Sequence, residues 1–92
     1  MNYPKRDLVV VHECDDEQGN PTCWSMFCGY SWDGDHKRNH FIWICKYDEK
    51  EYVVENASGY NCSGKIFKTL WGAKREAEGI AWRQEESGCF TD

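Results

Sequence analysis

One stretch limits the fold more than any other: Thr22 to Trp32, eleven residues in which large and small side chains alternate. A pleated strand sends successive side chains to opposite sides. On that pattern Trp24, Met26, Cys28, Tyr30 and Trp32 share one face, and Cys23, Ser25, Phe27, Gly29 and Ser31 share the other. A face so uniformly large has to be covered, so a sheet with a partner layer is expected. The chain has 92 residues, which bounds it to a single domain spanning 1–92 with a small core. Aromatics make up 15% of it, too many for a disordered acidic tail.

The remaining segments fit that start. Asp7 to Glu13 holds four consecutive aliphatics, Leu8 to Val11, and reads as a short strand at an edge or in the middle of the sheet. Cys14 to Pro21 is a polar loop, and Asp33 to Asn39 is a second loop nucleated by Asp-Gly. His40 to Tyr47 and Tyr52 to Asn56 form a hairpin folded about Glu49-Lys50. That register sets Tyr47 opposite Tyr52 and Cys45 opposite Val54. Ala57 to Gly64 is a loop, and Lys65 to Lys68 is an extended approach to a helix capped by Thr69. The helix runs to about Glu86, with Gly88 as its stop signal, and presents Leu70, Ala73, Ala77, Ile80 and Ala81 as a narrow apolar stripe. The expected fold is therefore α+β: a small antiparallel sheet of about four strands with one C-terminal helix packed on one face. The helix is expected on the face Trp43, Cys45, Tyr47, Tyr52 and Val54. Ile42, Ile44 and Val53, ringed by Lys46, Glu51 and Glu55, are left half covered on the other.

Charge and cysteine content narrow the function classes. The net charge of −5 disfavours nonspecific binding to nucleic acid or anionic lipid. No apolar run approaches the roughly 20 residues of a membrane span. Lys5 and Arg6 precede an apolar run too short for a secretion signal, and the acidic residues that follow do not suit an import peptide, so a cytoplasmic protein is expected. Six cysteines then read as reduced thiols, with a three-disulfide framework and its fifteen pairings as the alternative. No motif meets the geometric demands of catalysis, although His12, His36 and His40 accompany those thiols, and no enzymatic activity and no cofactor are expected. Cys23, Cys28, His36 and His40 have the most metal-like spacing. Only seven residues separate the two pairs, however, and alternation points Cys23 and Cys28 to opposite faces. A zinc-stabilised domain is thus one alternative reading. Single-stranded RNA or DNA binding is another, carried by His36 to His40, Lys65, Lys68, Lys74 and Arg75 with Tyr30, Trp24 and Trp32.

The stretch Lys65 to Glu78, with Phe67, Thr69, Ala73 and Ala77, resembles a sheet-to-helix pattern of small phage and mobile-element proteins, the arm-DNA-binding domains of phage integrases among them. Those integrase domains look basic over their sheet; here the strands and turns are acidic. In character the chain is similar to anti-CRISPR proteins, phage inhibitors of host effector complexes. That resemblance implies a protein-binding inhibitor whose partner is a basic nucleic-acid-handling protein or complex. The residues expected to meet it are the acidic Asp15, Asp16, Glu17, Asp33, Asp35, Glu49, Glu51 and Glu55, the apolar Ile42, Ile44 and Val53, and the helix pair Trp71 and Trp82. A homodimer through the open sheet face is the alternative assembly.

Overall fold

A computed structural model describes residues 3–56 and 63–86, and the side chains of these except 85 and 86. Four strands form one antiparallel sheet in the order β1-β2-β3-β4: β1 (Leu8–Val10), β2 (Cys23–Asp33), β3 (His36–Asp48) and β4 (Glu51–Glu55). A 3-10 turn, His12–Cys14, follows β1, and the helix α1 (Leu70–Glu86) packs on one side of the sheet. The α+β arrangement is the one the sequence predicts. The loop Ala57 to Gly64 and the stop at Gly88 lie largely outside the described residues. Among the described residues no helix is long and apolar enough to cross a membrane.

β1 is an edge strand, three residues long, with Val9 exposed. The expected loop at Asp33 to Asn39 is instead mostly strand. β2 and β3 continue to a two-residue tip, Gly34-Asp35, with Asp33 opposite His36. Gly34 has φ +63°, the sign that a type II′ hairpin turn requires at its first central position. The helix begins where expected, since the Gly72 amide donates to Thr69 Oγ1 at 3.0 Å. Ahead of it, Phe67 exchanges two 2.8 Å backbone hydrogen bonds with Tyr52 and so pairs with the outer edge of β4.

Two β-bulges decide which side chains are buried. At the turn the hairpin is folded as the sequence predicts, with Asp48 opposite Glu51, but between Lys46 and Asp48 the register slips. Tyr47 is the extra residue, so Cys45 faces Val53 and Ile44 faces Val54. A one-residue slip moves every side chain of the strand to the other face. The helix therefore covers Ile42, Ile44 and Val54, not Trp43, Cys45 and Tyr47. The second bulge lies in β2 between Phe27 and Gly29, with Cys28 as the extra residue and Gly29 at φ +148°. Trp24, Met26 and Cys28 stay on the helix side, while Tyr30 and Trp32 cross to the side of Phe27.

The core is the layer between this face and the helix. Met26, Ile44, Val54, Ala73, Ala77 and Ala81 are wholly buried there, with Leu8, Trp24, Tyr52, Phe67 and Leu70 packed at its margin. Burying a side chain such as Ile44 stabilises the fold by roughly 1.5–3 kcal/mol. The alanine stripe brings the helix close enough for this thin layer to fill. The N-terminal segment ties the layers together. Glu78, 1% exposed, accepts from the Arg6 amide at 2.8 Å and lies 3.4 Å from Lys74 Nζ. A buried carboxylate is tolerated when so partnered. Arg6 Nη1 in turn donates to the carbonyls of Phe27 and Cys28 at the bulge. Tyr3 crosses the helix at Gly79, where an added Cβ would stand 2.9 Å from its ring.

Candidate functional site: the open face of the sheet

The side of the sheet away from the helix carries the odd-numbered residues of β3 up to Trp43 and Cys45, with their neighbours on β2. Phe27, Tyr30, Trp32 and Phe41 lie here, 47%, 47%, 48% and 39% exposed, with half-buried Trp43 and exposed Val9 beside them. The rings are ordered against one another. Phe27 meets Phe41 edge-on at 5.6 Å, Phe41 meets Trp43 at 5.9 Å, and Tyr30 meets Trp32 edge-on at 6.4 Å. Lys37 Nζ sits 4.4 Å above the Tyr30 ring. Such edge-to-face pairs suit the aromatic quadrupole and fix the rings before anything binds.

Charged groups gather at the two ends of this strip. At one end the loop after the 3-10 turn meets the β3–β4 turn, so Asp16, Asp48 and Glu49 line one shallow hollow with Thr22, Lys46 and Tyr47. Glu17 is exposed beside it, and Asp15 is held by His12 Nδ1 at 3.2 Å. Asp16 accepts from the amides of Asn20 and Gln18, which holds its carboxyl below the usual range, with the Asn20 amide the larger cause. At the other end Asp35 lies in the tip and Asp33 borders it, 3.5 Å from Arg38. The expected acidic residues are thus divided, with Asp15, Asp16, Glu17, Glu49 and Glu51 at one end and Asp33 and Asp35 at the other.

Two other expectations are corrected, and the alternative metal set is not assembled. Ile42 and Ile44 are 3% and 0% exposed beneath the helix, and Val53, at 8%, is buried opposite Cys45, so these three form no surface patch. The bulge at Tyr47 is the reason. Cys23, Cys28, His36 and His40 do not converge. Cys28 faces the helix and Cys23 the open side. Cys23 and His36 lie near opposite ends of the β2–β3 hairpin, about 30 Å apart at the rise of a strand. His40 Nε2 is instead 2.8 Å from Ser31 Oγ. Among the described residues no group of three or more His, Cys, Asp or Glu side chains can hold a metal ion. Finally, Trp71 and Trp82 are not a joint anchor. Trp71 is exposed with the Arg75 guanidinium 5.3 Å over its ring, whereas Trp82 is half buried against Tyr3.

Glu55 belongs to a different group. Its carboxylate accepts from Tyr47 Oη and, at 3.5 Å, from Cys45 Sγ, and Cys45 Sγ is 3.4 Å from Cys23 Sγ. The Glu55 hydrogen bond pushes the Tyr47 phenol up, and burial followed by the Cys23 contact pushes the Cys45 thiol up. Sequence reasoning missed this group and the Phe27, Phe41, Trp43 row. Gly29, a glycine inside a strand, is the signal for the bulge that brings Tyr30 and Trp32 to the same side as this row.

No protein-family model, no curated protein and no solved structure matches this chain.

Proposed function

We propose that this protein is a small protein-binding module that docks its open aromatic sheet face on a basic, nucleic-acid-handling protein, as a phage-type inhibitor of the anti-CRISPR kind would. The observation that carries the reading is the row of exposed, mutually packed rings Phe27, Tyr30, Trp32 and Phe41 on a sheet face that no described element covers. Aromatic side chains at the centre of a patch supply most interface energy, and rings already fixed lose little entropy on binding. The acidic hollow at Asp16, Asp48 and Glu49 supports a basic partner, since charge of one sign at a rim steers association and selects the opposite sign. Direct binding of single-stranded nucleic acid is less well supported. A stacking platform needs cations along the backbone path, and among the described residues the strand register places Lys37 as the one cation on this face.

The test is capture from nuclease-treated host lysate at low and moderate salt, comparing the natural chain with Trp32→Ala/Phe41→Ala. The expected result is a basic nucleic-acid-handling protein retained by the natural chain, less so at moderate salt, and lost by the variant. Equal retention by the variant, or retention that vanishes with nuclease, overturns the reading. A concentration-dependent doubling of mass in sedimentation, abolished by the same substitutions, assigns the face to a homodimer instead.

A further inference from the structure

Cys23 and Cys45 stand directly opposite each other on β2 and β3. The backbone shows which kind of opposition this is. The Cys23 carbonyl accepts from the Val11 amide on the β1 side, and the next pair along, Thr22 and Lys46, carries a hydrogen bond between β2 and β3 at 2.8 Å. Hydrogen-bonded and non-hydrogen-bonded pairs alternate along an antiparallel ladder, so Cys23 and Cys45 form a non-hydrogen-bonded pair. At such a pair the Cα atoms approach to about 4.5 Å, inside the range that a disulfide spans. Their sulfurs are already 3.4 Å apart. A third thiol, Cys14 on the 3-10 turn, interacts with Cys23 from the other side and is exposed. All three line a cavity of about 260 Å³ with Val11, Trp43, Glu55 and Asn56. The Cys45 thiol donates to Glu55 Oε1 at 3.5 Å, which gives it a carboxylate to receive its proton.

We infer that Cys23, Cys45 and Glu55 form a dithiol site that reacts with low-molecular-weight disulfides and closes to a cross-strand Cys23–Cys45 bond. The Cys23 thiol points at Cys45 Sγ, whose own proton is held by Glu55, so Cys23 is the attacking sulfur. Cys23 releases its proton to solvent, and its thiolate attacks one sulfur of the small disulfide, breaking that S–S bond, forming a mixed disulfide and expelling one thiolate, which takes up a proton from solvent. Cys45 then gives its proton to Glu55 and attacks the Cys23 sulfur, and the second small thiolate leaves and takes up that proton. Two protein thiols are oxidised and one small disulfide is reduced to two thiols, so atoms and electrons balance. Burial, then the Cys23 contact and Glu55 itself, hold the Cys45 thiol protonated at rest, so its proton passes along the existing hydrogen bond to Glu55 only as the Cys45–Cys23 bond forms. Cys28, buried beneath the helix, takes no part.

The test exposes the reduced full-length chain to glutathione disulfide, quenches by acid and alkylation, and maps bonds by peptide mass spectrometry. The expected product is the Cys23–Cys45 disulfide, formed before any other bond and without a lasting glutathione adduct. Glu55→Gln is expected to let the Cys23–glutathione adduct accumulate and to slow closure at least several-fold, with the folded-state circular dichroism unchanged. Cys45→Ser is expected to stop at that adduct or to divert it to Cys14. Mapping of the natural chain needs no variant, so a variant that misfolds leaves the proposal exposed to failure. First oxidation at a different pair, or Cys23 still free while other thiols react, overturns it. Closure at the natural rate in Glu55→Gln removes the role of the carboxylate.

Discussion

The two faces of this sheet are built from neighbouring residues of the same strands, yet they differ in almost every property. The helix side is aliphatic and sulfur-rich at its centre, with Met26, Ile42, Ile44 and Val54 at or near zero exposure and the rings of Trp24, Tyr52 and Phe67 only at its margin. The far side is aromatic, and four of its rings remain two-fifths to one-half exposed. Composition alone would assign the aromatic face to the core, because large rings bury the most area. The helix chooses otherwise. Its alanine stripe needs a flat surface of branched and flexible side chains to fill a thin layer, and the bulges at Cys28 and Tyr47 deliver that surface to it. Rings that a packing argument would hide are thereby left exposed.

The largest effect should come from setting the two faces against each other at adjacent positions. Ile44→Ala is expected to cost about 2–5 kcal/mol in chemical denaturation. Trp43→Ala, on the open side, is expected to cost about 1 kcal/mol or less despite the larger side chain. Equal or reversed costs would break the comparison. Next comes the bulge itself. Gly29→Ala places a side chain at φ +148° and is expected to cost about 1–3 kcal/mol. If the bulge yields, Tyr30 and Trp32 lose the open face, so binding of a partner should fall further than stability does. Arg6→Met removes the donors to the Phe27 and Cys28 carbonyls and is expected to cost about 1–3 kcal/mol, with faster amide exchange around Cys28.

The smallest effect is at the acidic end. The folded-state carboxyl of Asp16 is held below its ordinary 3.8 by the Asn20 and Gln18 amides. Its contribution is present above that ordinary value and is lost as pH falls through the lower folded value. Asp16→Asn should therefore lower stability slightly at neutral pH and flatten the acid limb, with the two profiles converging once pH falls below the folded-state carboxyl's value.

Much of this layout is legible in the residues. The alternation of Thr22 to Trp32, the Glu49-Lys50 turn, the Thr69 cap and the Ala73-Ala77-Ala81 stripe each follow from local rules, and together they define a sheet with one helix. The facing does not follow from them, because alternation is a relative signal that one inserted residue inverts. Gly29 marks one of the two insertions, but Tyr47, an ordinary strand residue, marks nothing. The site suffers from the same cause. Once the register slips, Ile42 and Ile44 leave the surface, and Phe27 and Phe41 take their place. Cys14, Cys23 and Cys45 meet only through the pairing of β2 with β3 and the 3-10 turn that follows β1, so no spacing along the chain announces them.

The facing of the sheet is measured most directly by nuclear Overhauser contacts from the methyls of Ala73, Ala77 and Ala81. Contacts to the side chains of Ile42, Ile44 and Val54, with none to the rings of Phe41 or Trp43, are the predicted result. Contacts from those alanines to the Trp43 ring, with the Ile44 methyls free of them, would contradict it.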